Sequence, residues 1–140
     1  MPAAELLVEL PDSIFDVVQE LAGDPDTREV WLIGSRASNT QHATSDWDLL
    51  LRSSREPTPV LYRQSGIDVL HCGPSGTILL EGQPMSMAVQ FSSFLWEHVS
   101  SVEARYDGIK PFPWLEGVAL NCSEPSVVRV PAKALLLWSR

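Results

Sequence analysis

"VWLIGSRASNTQHATSDWDLLL", Val30 to Leu51, decides how the rest of this chain is read. An apolar run ends in Gly-Ser, a polar segment follows, and two aspartates one residue apart open a second apolar run. Strand side chains alternate in direction, so Asp46 and Asp48 share one face while Trp47, Leu49 and Leu51 share the other. Such a strand can be buried through its apolar face while the opposite face begins with acids. The two carboxylates would stand roughly 6–7 Å apart at Cβ, given a rise of about 3.3 Å per residue. At that separation they repel unless a cation lies between them, and a hard ion such as Mg²⁺ takes oxygen ligands.

A bare Asp-x-Asp carries little weight. Asp24-Pro25-Asp26 has the same spacing, but its middle residue is proline, no apolar run encloses it, and it reads as a turn. Three features set the later pair apart. Gly34-Ser35 directly follows an apolar strand, so a backbone without Cβ sits at a strand end, where amides and a hydroxyl can be aimed at phosphate oxygens. A helical turn starting at Ser35 would add its positive end. Finally, Asp68 lies inside "GIDVL", flanked by Ile67 and Val69, and joins the other acids on one surface if its strand lies beside theirs. Three carboxylates can hold two metal ions about 3.5–4 Å apart, an arrangement suited to in-line displacement at phosphorus.

Outward from this stretch, strands and helices mix. "DSIFDVVQELAG" places Ile14, Val17, Val18 and Leu21 at helical spacing, predicting a helix over 12–22 with Asp12 as N-cap and Gly23 as stop. Strands are expected at 28–33 and 46–52, with a loop at 34–45 between them that includes a helical turn after Ser35. Further strands are expected at 66–72, in "TILLEG" and at 85–91. "SSFLWEHVSSVEARYDG" reads as a helix over 93–105, capped by Ser92 or Ser93 and closed by Gly108. "DGIKPFPWLEG" reads as a rigid aromatic loop, "VALNC" and "SVVRV" as short strands, and "PAKALLLWSR" as a last helix with Pro131 in its first turn. The class is α/β or α+β, in one domain over residues 1–140.

Composition narrows the function. The 140 residues suffice for a real hydrophobic core, and no run approaches the roughly 20 apolar residues of a membrane span. The formal charge is −8, and residues 1–70 hold twelve Asp and Glu against five Lys and Arg. That acidity argues against a grip on long nucleic acid, which takes clustered cations, but admits a single nucleotide escorted by a metal. "MPAAELLVELPD" carries acids where a secretory leader needs bases, so a cytoplasmic location is expected. There Cys72 and Cys122 read as buried thiols, and the Asn121-Cys122-Ser123 sequon as chance.

"GSRA" at 34–37, "SDWDLL" at 45–50 and "IDV" at 67–69 together resemble the signature of the DNA polymerase beta-like nucleotidyltransferase superfamily. The nearest likeness is to its small bacterial branch of minimal nucleotidyltransferases and antibiotic adenylyltransferases. The likeness spans about residues 12–72. It implies a nucleotidyltransferase fold, a mixed sheet with helices packed mainly on one face. It also implies transfer of a nucleoside monophosphate from an NTP, ATP first among candidates, to a hydroxyl of a protein or small molecule. By this resemblance Asp46, Asp48 and Asp68 would hold two Mg²⁺ ions, with Asp68 the candidate base, and Gly34 and Ser35 would hold the triphosphate. Arg36 would contact phosphate or brace the loop. Members of this branch often pair with HEPN-domain proteins, as in toxin–antitoxin systems.

The sequence also departs from that branch. Ser38-Asn39 stand where many bacterial members have Arg-Gly, and the link from Asp48 to Asp68 is short and proline-bearing. Little chain follows the core, so a HEPN-type partner or a second copy is expected to complete the cleft. The competing reading is a non-catalytic binding module that retains the fold. His42 reads as a solvated loop residue, His71 as structural because it alternates away from Asp68, and His98 as a surface residue. The five tryptophans read as core or interface.

Overall fold

The structure is a computed structural model that describes residues 10–38, 45–59, 66–111 and 127–140, with side chains for all of these except 108–111 and 127–130. Helix α1 (Asp12–Ala22) leads into strand β1 (Thr27–Ile33), a short helix α2 (Gly34–Ser38) and strand β2 (Trp47–Ser53). Strands β3 (Ile67–Cys72), β4 (Thr77–Leu80), β5 (Val89–Gln90), β6 (Glu97–His98), β7 (Glu103–Pro111) and β8 (Val127–Ser139) follow. Among the described residues eight strands join one sheet in the order β5-β4-β3-β2-β1-β8-β7-β6, and of these pairs only β2–β3 is parallel. The class is therefore α+β, strand-dominated, with a mixed sheet. Among the described residues no helix is long and apolar enough to cross a membrane.

The first half follows its sequence pattern. Ile14 and Val18 are the buried positions of α1, with Val17 and Leu21 half-buried beside them. Its N-cap is Pro11 and not Asp12, which is the first helical residue, and no side chain caps that end. Gly23 ends the helix in a right-handed conformation, its N–H bonded to the Gln19 and Glu20 carbonyls. β1 is central, flanked by β2 and β8, which is why its last four residues are all buried. Asp24-Pro25-Asp26 is a turn: the Asp24 carboxylate accepts the Asp26 N–H, and Arg55 bridges to both acids.

The second half departs from it. In place of a strand over 85–91 there are a 3₁₀ turn at Met85–Met87 and the two-residue β5. The expected helix over 93–105 is a 3₁₀ turn at Phe91–Phe94, then β6, a turn and β7, so Gly108 lies within a strand. The expected last helix is strand β8. Ala134 to Leu137 are all buried because β8 lies between β1 and β7 with both faces covered, which removes the alternation that marks a strand. Pro131 is tolerated because β8 pairs with β1 only from Leu135 onward. The Lys133 N–H points to Ser38 Oγ at 2.9 Å, away from β7, and Pro131 shares its parity, so no ladder bond is lost. The aromatic loop continues β7 at 107–111. The rest of that loop with Trp114, the "VALNC" strand, the sequon with Cys122, His42 and the first nine residues lie outside the described residues.

The two faces of the sheet carry different cores. Ile14 and Val18 of α1 and Ala37 of α2 pack with Val30, Leu32, Leu49, Leu51, Ile67 and Val69. On the other face Trp31, Ile33, Leu50, Ala104, Tyr106 and Ala134 pack beneath Phe91, Phe94 and Trp96. Residues 91–96 connect the two edge strands, β5 and β6, over this second face. A flat sheet of eight strands would be roughly 34 Å across, whereas six residues reach roughly 25 Å even when extended. Four of these residues form a 3₁₀ turn, which shortens the reach further. The sheet is curled, and the segment is a strap across its hollow.

Candidate functional site

β2 and β3 run parallel with Asp48 opposite Asp68. Leu49 and Val69, the next pair, belong to the helix-side core, so the two carboxylates lie side by side on the hollow face. This is the neighbourhood expected from the sequence: Asp68 does lie beside the Asp-x-Asp strand. Trp47, Leu49 and Leu51 share the apolar face as expected. Asp46 is exposed and stands just before β2, whose first residue is Trp47. Among the described residues no group of three or more His, Cys, Asp and Glu stands together in a way that could hold a metal ion. The acids here are an in-register pair with a third carboxylate at the entrance of the strand.

Gly34 is where the site closes. Ile33 pairs with Asp48, so the turn that follows β1 comes directly against that aspartate. A Cβ on Gly34 would collide with Asp48 Oδ2, and the residue has φ +73°. Only glycine meets both demands without strain. Ser35 and Arg36 follow in α2. The Arg36 guanidinium donates to the Ser45 carbonyl at 2.9 Å and lies over the Trp47 ring at 4.6 Å. These contacts tie α2 to the residues just before β2.

One participant gives no signal in the sequence pattern. Tyr106, on β7, is 8 % exposed and accepts the Gly34 N–H on its hydroxyl oxygen at 2.8 Å. The contact spans 72 residues and brings Tyr106 in from well beyond the stretch that holds Gly34, Asp48 and Asp68. Burial pushes the Tyr106 pKa above its usual value, the Gly34 N–H opposes this, and the nearby Asp48 charge adds to it. The hydroxyl therefore stays protonated near neutral pH. Its ring stacks on Trp96 at 5.7 Å and meets Phe94 edge-on at 6.0 Å, so the strap holds it in place.

The remaining candidates have structural partners. His71 Nε2 lies 2.8 Å from Glu81 Oε1, just past the end of β4, as expected for a structural residue turned away from Asp68. His98 is exposed on β6 beside Trp31 and Trp96. Cys72 is buried, and burial raises its thiol pKa, which makes it unreactive. No family model, no curated protein and no solved structure matches this chain.

Proposed function

We propose that the chain is a Mg²⁺-dependent nucleotidyltransferase with the polymerase beta-like fold, transferring a nucleoside monophosphate from an NTP to a hydroxyl. The observation that carries this reading is the parallel register of Asp48 and Asp68 beside a glycine whose positive φ and missing Cβ let Asp48 approach. The two carboxylates offer a hard oxygen donor pair, which suits one Mg²⁺ shared with substrate phosphates. Asp46 stands two residues away, at the strand entrance, and would join when nucleotide and metal arrive. A bound divalent cation would offset charge on the triphosphate and lower the pKa of the acceptor hydroxyl.

The chain's own residues would do the rest. Ser35 would donate its hydroxyl to the triphosphate, while Gly34 leaves room for Asp48. The acceptor oxygen bonds to the α-phosphorus, the bond to the pyrophosphate oxygen breaks, and the hydroxyl proton passes to Asp68. Catalysis would come from positioning and charge neutralisation. ATP is the first candidate donor. The acceptor would be a HEPN-type partner protein or a small molecule, and the setting cytoplasmic.

Calorimetric titration with ATP, CTP, GTP and UTP, with and without Mg²⁺, tests the reading. Metal-dependent binding is expected, weakened at least about tenfold by Asp48→Asn or Asp46→Asn. Absence of nucleotide binding at any Mg²⁺ concentration would sink it. The second reading, a non-catalytic module that binds nucleotide or a partner, is favoured by one observation: the acids do not form a ready group of three among the described residues. Transfer of label from α-labelled nucleotide to an acceptor separates the two.

A further inference from the structure

We propose that Tyr106 is a positioning residue of this site, and that its hydroxyl, by taking the Gly34 amide, leaves the triphosphate to be met by side chains and not by that amide. The inference rests on the nucleotide-binding reading and deepens it. A phenolic oxygen 2.8 Å from Gly34 N has taken the one proton that amide can donate. Gly34 therefore serves through its missing Cβ, which admits Asp48, and not as a phosphate donor. With its oxygen accepting from Gly34, Tyr106 keeps one O–H to direct into the hollow on the face that Asp48 and Asp68 share.

The hydroxyl is placed by packing from three sides. Tyr106 comes from β7, where it pairs with Ala132. Its ring is fixed by Trp96 and Phe94, both in the strap that bridges the sheet edges. Residues from the far half of the chain thus set the backbone direction of the Gly-Ser turn. Without the hydroxyl, the part-buried Gly34 amide would lose its protein acceptor, and the turn would be held less firmly.

Tyr106→Phe keeps the ring and removes the hydroxyl. Three readouts on the full chain decide the matter: amide exchange at Gly34, affinity for Mn²⁺ alone, and affinity for Mg·ATP. The expected result is faster exchange at Gly34, Mn²⁺ affinity unchanged within twofold, and Mg·ATP affinity lowered about tenfold. A general loosening of the fold would weaken Mn²⁺ and ATP together, and that outcome overturns the positioning role. So does unchanged ATP affinity, which would leave the nucleotide reading standing without Tyr106. If the unmodified protein binds no nucleotide, the nucleotide reading fails and takes this inference with it. That failure is told apart by the unmodified protein's own titration. Should Tyr106→Phe not fold, Phe94→Leu, which removes the edge-on neighbour of the same ring, is scored on the same three readouts.

Discussion

At the scale of single residues, Gly34 carries two constraints that can be separated. A side chain in the left-handed region costs about 1–2 kcal/mol. The second constraint is Asp48, whose Oδ2 occupies the space a Cβ would need. Gly34→Ala is therefore expected to destabilise the protein by at least about 2 kcal/mol in urea unfolding, the sum of backbone strain and a displaced carboxylate. Asp48→Ala in the same chain removes the clash but not the strain. The double variant should recover part of the loss, and a cycle of the four proteins gives the coupling. Strict additivity would show that the carboxylate does not press on Gly34. The sequence announced this glycine through its place at the end of an apolar strand. It could not announce Tyr106, because a contact between residues 34 and 106 leaves no periodicity behind.

At the scale of elements, legibility divides at about residue 80. Strands β1, β2 and β3 show apolar runs bounded by turn residues, and each lies within a residue or two of its expected range. Beyond β4 the pattern misleads. Phe94, Leu95, His98 and Val102 have helical spacing, yet the Val99 and Ser100 N–H groups both bond the Glu103 carbonyl, closing a turn between β6 and β7. The run at Ala134–Leu137 is apolar throughout, which a buried helix would also be. Tertiary pairing decided both cases. The parallel pairing of β2 with β3 is not legible in the sequence either: such a pair needs a crossover, which falls to the proline-bearing link after β2. Its start is clamped by Glu56, which accepts the Ser75 N–H at 2.9 Å and the Ser75 hydroxyl, close against Gly73. The side-chain bond from Ser75, then its backbone bond, hold the Glu56 carboxyl below its ordinary value of 4.5. A lowered folded-state pKa means the charged form is the stabilised one, so the contribution is present above 4.5 and fades as pH falls through the lowered value. Glu56→Gln should lower Tm at pH 7 and converge with the parent protein as pH drops below 4.5. A gap in Tm that is constant over this range would mean the charge contributes nothing.

At the scale of the whole molecule, the strap joins edges that a flat sheet would keep apart. Edge strands of two residues each cannot hold themselves in place. What holds them is the aromatic cluster: Trp96 lies 5.0 Å from Trp31 and 5.4 Å from Phe91, and stacks on Tyr106. The same cluster closes the curl and places the hydroxyl at the Gly34 turn, so closure of the sheet and order at the acidic pair are one mechanical problem. Trp96 is only partly buried, so its truncation should cost less than a fully buried tryptophan, about 2–4 kcal/mol. The distribution of the loss is the sharper expectation. In Trp96→Ala, amides of β5, β6 and the 91–96 segment should exchange near the rate of unstructured chain, and the Gly34 amide should exchange faster. Amides shared by β1, β2 and β8 should keep their protection relative to the lowered global stability, since their core on the helix side is untouched. Uniform loss across the sheet would mean the strap is merely one more part of a single cooperative core. Selective loss at both edges and at Gly34 would establish that residues far from the acids, in the second half of the chain, set the geometry of the site.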